Sequence, residues 1–303
     1  MTVAVAAVDL ADLATVDDDI RTFGDSLVGT GFVKVAGHGV DPALVEQAYA
    51  VTREVFALDD ERKRQWAREE YHGARGYIPF GREQAKNATV VDLKEFWHIG
   101  PADGGRFPNV WPDDVPAFET TMTELFAAME LTAQRLLVAL ATYFDLPPRH
   151  LADMTVGADS LLRVLHYPPL RDRMVPGAVR AAAHEDINFI TLLPAATAAG
   201  LELLDQSGRW VAVDGLDGEL VVDSGDMLSR YLNGRVPATT HRVVNPPDDD
   251  SDRYSMPFFC QPRRDVLLEL PAEMRSPGEV LRDPPITAGE FHQQRMDAIR
   301  RRS

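Results

Sequence analysis

The sequence predicts an α+β fold, helical in its first half and an antiparallel sandwich or jelly roll in its second. Three observations point there. Between residues 116 and 144, Phe118, Met122, Leu125, Met129, Leu136 and Leu140 fall on one helical stripe, which Pro147-Pro148 ends. After about residue 158 short apolar runs follow one another closely. Turn-forming stretches separate them, among them Gln206-Ser207-Gly208, Asp217-Gly218 and Asn233-Gly234, leaving no room for the crossover helices of a βαβ sheet.

Taken in order, residues 2–8 read as a short strand and 16–28 as an amphipathic helix. Residues 31–35 alternate like a strand and end in the turn Gly37-His38-Gly39. A helix then starts with Asp41 as N-cap and Pro42 at its first position. Residues 58–68 suggest a second, shorter helix. From 71 to 114 glycines and prolines mark loops, with a strand within 90–99. Strands are expected at 161–167, 187–193, 201–204, 210–213, 220–222, 239–244, 254–260 and 266–268. Residues 246–252 read as a solvated acidic loop. A helix over 288–300 closes the chain, where Thr287 and Glu290 can form a capping box. Residues 1–115 form a helix/strand region and 116–303 the long helix plus core, together one compact unit.

Bulk properties narrow the function. Apolar residues make up 45% of the 303 and charged ones 26%, an ordinary globular composition. The formal net charge of −16 opposes a nucleic-acid footprint or docking on anionic lipid. It does not bear on a small anionic substrate, because a local arginine overrides the global field. The single cysteine, Cys260, excludes a disulfide framework or thiolate metal site within one chain and implies a reducing, cytoplasmic setting. The N-terminus lacks a basic n-region and no run of 18 apolar residues occurs, so no membrane partner is expected.

Chemistry concentrates between residues 183 and 255. His184 and Asp186 are two apart, and on extended backbone both side chains reach one face while Glu185 points away. His241 follows on a later strand. Two histidines and one carboxylate are the ligands of a facial-triad iron site, which leaves three coordination positions open. A lone His-x-Asp has little specificity; the downstream His and Arg253-Tyr254-Ser255 give it weight. Arg253 can fork a carboxylate and Ser255 can add a donor from the same face. Arg253 alone would serve equally as a partner for the aspartates at 248–250 or 252. Of the other histidines, His38 reads as a turn residue, and His72, His98, His150 and His292 have no partner at ligand spacing. His166 and Tyr167 face opposite sides, so only one looks into the cavity. No Gly-rich phosphate loop stands between a strand and a helix.

These motifs together resemble the isopenicillin N synthase-like branch of the iron(II)/2-oxoglutarate-dependent dioxygenases over nearly the whole chain. Gly31-Phe32-Val33 and Gly37-His38-Gly39-Val40 resemble its N-terminal signature. Arg75-Gly76-Tyr77-Ile78-Pro79 and Asp92-Leu93-Lys94-Glu95-Phe96 resemble its second block. His184-Glu185-Asp186 with Ile190-Thr191-Leu192-Leu193, Gly225-Asp226-Met227-Leu228, Thr240-His241-Arg242-Val243 and Arg253-Tyr254-Ser255 resemble the catalytic motifs. The resemblance implies a double-stranded β-helix (jelly roll) core with flanking N-terminal helices and a C-terminal helix. It implies Fe(II) on His184, Asp186 and His241, and the distal carboxylate of 2-oxoglutarate on Arg253 and Ser255. Tyr167 is a further candidate, from a segment in which Leu165 replaces the Asn of many plant members. Retention of Asp186 argues against a halogenase.

The implied reaction consumes O2 and 2-oxoglutarate, releases succinate and carbon dioxide, and hydroxylates, desaturates or cyclises a small-molecule metabolite of secondary metabolism. Arg75, Tyr77, Phe80, Trp97 and Phe258 are the candidates for facing that substrate. The alternative is an isopenicillin N synthase-type oxidase using the same ligands without 2-oxoglutarate, since the His-Glu-Asp centre is shared. A non-catalytic protein that binds a small acid is the third possibility.

Overall fold

The computed structural model describes residues 5–11, 17–82, 92–169, 179–213, 218–245 and 252–300. In chain order its elements are β1 (Ala7–Asp9), α1 (Asp17–Thr30), β2 (Phe32–Ala36), α2 (Pro42–Phe56), α3 (Asp60–Arg64), β3 (Gly76–Ile78) and β4 (Glu95–Ile99). Then follow α4 (Ala117–Tyr143), α5 (His150–Asp153), β5 (Leu161–Tyr167), β6 (Ala181–His184), β7 (Ile190–Pro194) and β8 (Leu201–Leu204). The remainder is β9 (Trp210–Ala212), β10 (Leu220–Ser224), α6 (Asp226–Tyr231), β11 (His241–Val243), β12 (Arg253–Ser255), β13 (Phe258–Cys260) and α7 (Ala288–Arg300).

The strands form two sheets. The larger runs β1-β2-β10-β7-β13-β5-β4-β3, with β12 also paired to β5; the smaller runs β6-β11-β8-β9. Every pairing but β1–β2 is antiparallel, as short turns between strands require. This is the expected jelly roll. Its N-terminal strands β1 to β4 extend the large sheet on both flanks.

Helix α4 carries the long apolar stripe into the core, burying Phe118, Met122, Leu125, Met129 and Leu136. By length and composition it could cross a bilayer, but that face is taken by the protein's own core. Asp41 caps α2 through its side chain onto the Ala43 amide at 2.9 Å. Thr287 and Glu290 close the reciprocal box on α7.

Several expected elements differ. The expected strand over 254–260 is two short strands, β12 and β13, interrupted at Met256-Pro257, because proline cannot donate to the ladder. Both pair with β5, so the interruption leaves one continuous wall. Residues 266–268 form only a bridge, Leu267 to Thr287. The helix expected over 58–68 shortens to α3. Asn233-Gly234 is not a hairpin: both residues take positive φ (54° and 76°) just after α6 and end that helix. The expectations for residues 2–4, 16, 90–91, 214–217 and most of the acidic loop lie outside the described residues.

Candidate active site

The site lies between the two sheets. His184 ends β6 and His241 begins β11, and the two are direct partners in the antiparallel register. Their rings sit 4.5 Å apart, centroid to centroid. Asp186 follows in the loop after β6, not on the strand itself, so alternation alone does not place it. That loop is pinned from behind. The Asp226 amide donates to the Asp186 carbonyl at 2.8 Å, and the Met227 amide to the Asn188 carbonyl at 3.1 Å. Position 225 must be glycine for this approach: a Cβ there would stand 2.5 Å from the Asn188 carbonyl oxygen.

Asp186 Oδ1 lies 3.7 Å from Nε2 of both His184 and His241, and the three ligand atoms all lie within 4.8 Å of one another. The other histidine nitrogens face carbonyls. His184 Nδ1 lies 2.7 Å from the Ala182 oxygen and His241 Nδ1 3.2 Å from the Thr239 oxygen. A carbonyl only accepts, so Nδ1 carries the hydrogen and each Nε2 lone pair points at the shared centre. The other Asp186 oxygen accepts from the Thr191 hydroxyl, which itself accepts from Asn188 Nδ2 at 2.8 Å.

Electrostatics suit a cation. Burial, the neighbouring His241 and Lys94 push the His184 pKa down to about 4, against the pull of Asp186, so its imidazole is neutral. At His241 burial opposes the charged form, but Asp186 and Asp223 together outweigh it and raise the pKa. Burial and the Asp186 charge push Asp223 up to about 8. Glu185 points away as expected, accepting from Thr240 at 2.6 Å and facing Arg295 of α7 at 3.5 Å.

Across the cavity, β12 and β5 build a second centre. Arg253 pairs in register with Tyr167, and Ser255 with Leu165. The Arg253 guanidinium lies over the Tyr167 ring at 5.0 Å and gives its Nε–H to the Ala198 carbonyl at 3.0 Å. Its Nη1 is buried with no hydrogen-bond partner among the described residues, and the residue is only 2% exposed. A buried cationic donor without an acceptor is costly, and an anion would satisfy it. Asp252 is not its partner; it binds His166 Nε2 at 2.6 Å, on the other face of the strand.

The structure moves the expected substrate-facing residues elsewhere. Arg75 is buried in an ion pair with Asp159. Tyr77 gives its hydroxyl to Glu95, and Trp97 its Nε1–H to the Val110 carbonyl at 3.0 Å. Phe258 packs edge-on against Phe126 of α4 in the core. None of these lines the cavity, nor does Phe80. Beside the expected His184, Asp186, His241, Tyr167, Arg253 and Ser255, it is lined by residues that sequence reasoning missed, among them Lys94, Arg163, Thr191, Asp223 and Phe259. The signal was available, because counting by two from Arg253 and Ser255 reaches Pro257 and Phe259.

Comparison with known proteins agrees with this geometry. The profile of the 2OG-Fe(II) oxygenase superfamily matches residues 158–262, and that of the N-terminal region of the non-haem dioxygenases in morphine synthesis matches residues 5–114. The 2-oxoglutarate-Fe(II) type oxidoreductase ppzD of Metarhizium rileyi is 32% identical over 297 residues, covering 91% of this chain and 84% of that protein. The chain belongs to the 2OG-Fe(II) oxygenase superfamily. As a member it is a dioxygenase that uses Fe(II), 2-oxoglutarate and O2 to oxidise a small molecule. Proline hydroxylase buaE of Petromyces alliaceus is 32% identical, covering 89% of this chain and 90% of its own. A 2OG-Fe(II) oxygenase family protein from Caulobacter crescentus superposes with a TM-score of 0.87 at 38% identity, over 98% of this chain and 99% of that one. A full-length Neurospora crassa protein in complex with alpha-KG and thymine does so with 0.87 at 26%, over 97% and 96%.

Proposed function

We propose that His184, Asp186 and His241 hold the Fe(II), and that Arg253, Ser255 and Tyr167 hold 2-oxoglutarate by its distal carboxylate. The observation that carries this is the buried Nη1 of Arg253, without a hydrogen-bond partner among the described residues, in the same cavity as a histidine–carboxylate–histidine cluster. The donor set fits the metal: two imidazole nitrogens and one carboxylate oxygen suit a divalent first-row ion.

When bound, the iron activates dioxygen and couples oxidative decarboxylation of the 2-oxo acid to oxidation of a C–H bond. The protein's own residues supply geometry. Thr191 and Asn188 set which Asp186 oxygen faces the centre, and Ala182 and Thr239 fix the histidine tautomers. Tyr167 and Leu165 give the co-substrate a mostly apolar wall that strengthens the Arg253 interaction by excluding water.

The substrate we propose is a metabolite of the size of an amino acid or nucleobase, oxidised in the cytoplasm as part of secondary metabolism. Its size follows the relatives, one named a proline hydroxylase and one holding thymine. The reducing compartment follows from one cysteine, which is buried. The segments 1–115 and 116–303 work as one compact unit, a reading supported by β1 to β4 sharing the large sheet with β5, β7, β10, β12 and β13.

Oxygen consumption measured with and without 2-oxoglutarate, with succinate quantified, tests the site. Succinate formed by the wild type and abolished in Arg253→Met and His241→Ala supports it. Uptake of oxygen without succinate would instead identify an isopenicillin N synthase-type oxidase.

A further inference from the structure

The loop that carries Asp186 is held from outside the cavity by the last helix of the chain. Glu185 stands between the ligands His184 and Asp186 and is turned away from the centre. One of its oxygens accepts from the Thr240 hydroxyl at 2.6 Å, and Thr240 immediately precedes the third ligand, His241. Its other oxygen lies 3.5 Å from Nη2 of Arg295 on α7. The same nitrogen is 2.5 Å from Asp226 Oδ2, and the Asp226 amide is the group that donates to the Asp186 carbonyl. One guanidinium therefore faces both the chain neighbour of Asp186 and the residue that pins Asp186 from behind.

Helix α7 is fixed in the position this requires. The Ala288 and Gly289 amides of its first turn donate to the Val266 and Arg264 carbonyls at 2.8 and 2.9 Å. Phe291 and Arg295 are four apart on α7 and so share a face. Arg230 and Asp226 are four apart on α6, and the Arg230 guanidinium lies over the Phe291 ring at 5.3 Å. Two contacts, Phe291 with Arg230 and Arg295 with Asp226, thus register one helix against the other. The side chains of Arg295, Asp226 and Glu185 are 24%, 16% and 35% exposed, so water screens their charges only in part.

We propose that Arg295 is a positioning residue of the metal centre, holding Glu185 and Asp226 so that the His184–Asp186 loop keeps its two ligands at one spacing. The proposal rests on the reading that His184, Asp186 and His241 hold the Fe(II). Charge alone would have the opposite consequence. A guanidinium near a cation repels it, so an arginine acting only through its field would weaken metal binding, and its removal would tighten it. An arginine acting through position does the reverse: without it the loop loses its anchor and the ion is held less well.

The test titrates the metal-free, full-length protein with Mn(II) by calorimetry and records the visible absorption of its Co(II) form. Arg295→Gln is expected to weaken Mn(II) about tenfold, the lower end of what partners behind a metal ligand contribute, and to shift the Co(II) bands. Arg295→Lys keeps the charge and can reach the same carboxylates, so its affinity should lie within threefold of wild type. In the double variant with Glu185→Gln, the loss should be smaller than the two single losses combined, because the arginine acts through that carboxylate. Unchanged or tighter Mn(II) binding in Arg295→Gln, a loss that Arg295→Lys does not restore, or full additivity with Glu185→Gln would overturn the proposal. Metal-free Arg295→Gln should keep the wild-type circular dichroism; unfolding would make the arginine a general support of the fold and overturn it too. Mn(II) bound equally by His241→Ala would refute the underlying site instead. Loss of the ion in His241→Ala with full binding in Arg295→Gln would refute the proposal alone.

Discussion

His184 and His241 are direct cross-strand partners on β6 and β11, with their rings 4.5 Å apart and both Nε2 atoms 3.7 Å from one oxygen of Asp186. Two residues distant in sequence are thus fixed by one backbone ladder, which holds them whether or not an ion is bound. The metal should therefore stabilise the fold rather than create it. At a hundredfold excess over its dissociation constant, a bound ion adds about 2.7 kcal/mol. Anaerobic Fe(II), or Mn(II) in air, is expected to raise the melting temperature of the wild type. His241→Ala should keep the fold, by circular dichroism, and lose the shift. An equal shift in the variant would remove His241 from the metal site.

Thr191 acts one step behind the metal. Its hydroxyl gives to Asp186 and receives from Asn188, so it decides which carboxylate oxygen is turned to the centre. Thr191→Val keeps the shape and removes both bonds. Partners in such positions are worth about 10–100-fold in metal affinity. Leaving the Asn188 amide unpaired should also cost about 1–3 kcal/mol of stability. Metal titration and urea unfolding of the same variant separate the two effects; unchanged metal affinity would make Thr191 merely structural.

How legible was this in the sequence? The shared face of Arg253 and Ser255 was, because extended backbone fixes which side chains point the same way; Asp186, in the loop after β6, was not placed by that parity. The same parity, followed further, assigns Tyr77, Trp97 and Phe258 to the core face of the large sheet. Register completes it: Tyr77 is paired with Trp97, and Phe96 with Leu165 on the cavity side. What the sequence could not supply were contacts made across elements. The burial of Arg75 depends on Asp159, which lies 84 positions away. Arg163 gives its Nε–H to His98 Nε2 at 2.7 Å, and that contact needs the β4–β5 pairing to exist first. Asp186 is held by the start of α6, a helix of one and a half turns too short to announce itself by periodicity.

Arg253 is predicted to be irreplaceable by lysine. Its guanidinium is held by the Ala198 carbonyl and the Tyr167 ring, leaving a planar fork in the cavity. A lysine ammonium has neither the reach nor the paired donors. Hydrogen bonds to a charged group contribute about 1.5–3 kcal/mol, so Arg253→Lys should raise the KM for 2-oxoglutarate roughly tenfold to a hundredfold. Iron affinity should not change. A KM within twofold of wild type would place the co-substrate elsewhere.

Behind that wall Glu95 is the hinge of a buried charge cluster, and it predicts how the fold responds to acid. Its carboxylate accepts from Lys63 Nζ at 2.8 Å, from His166 Nδ1 at 2.7 Å and from the Tyr77 hydroxyl. Burial alone would raise its pKa, but the bonds from His166, Lys63 and Tyr77 prevail and hold it below the ordinary 4.5. A depressed carboxylate pKa means the unfolded chain binds the proton more readily. The stability Glu95 contributes is therefore fully present above about pH 4.5 and is lost as pH falls through its lower folded value. Glu95→Gln leaves Lys63 and His166 facing a neutral amide, and breaking a buried pair in this way costs about 3–5 kcal/mol. Urea unfolding of both proteins across pH 3–7 is the measurement. The variant should be much less stable at neutral pH, and the gap should narrow as the wild type is acidified. A gap that stays constant down to pH 3 would show that the Glu95 charge contributes nothing, and that its value lies in packing alone.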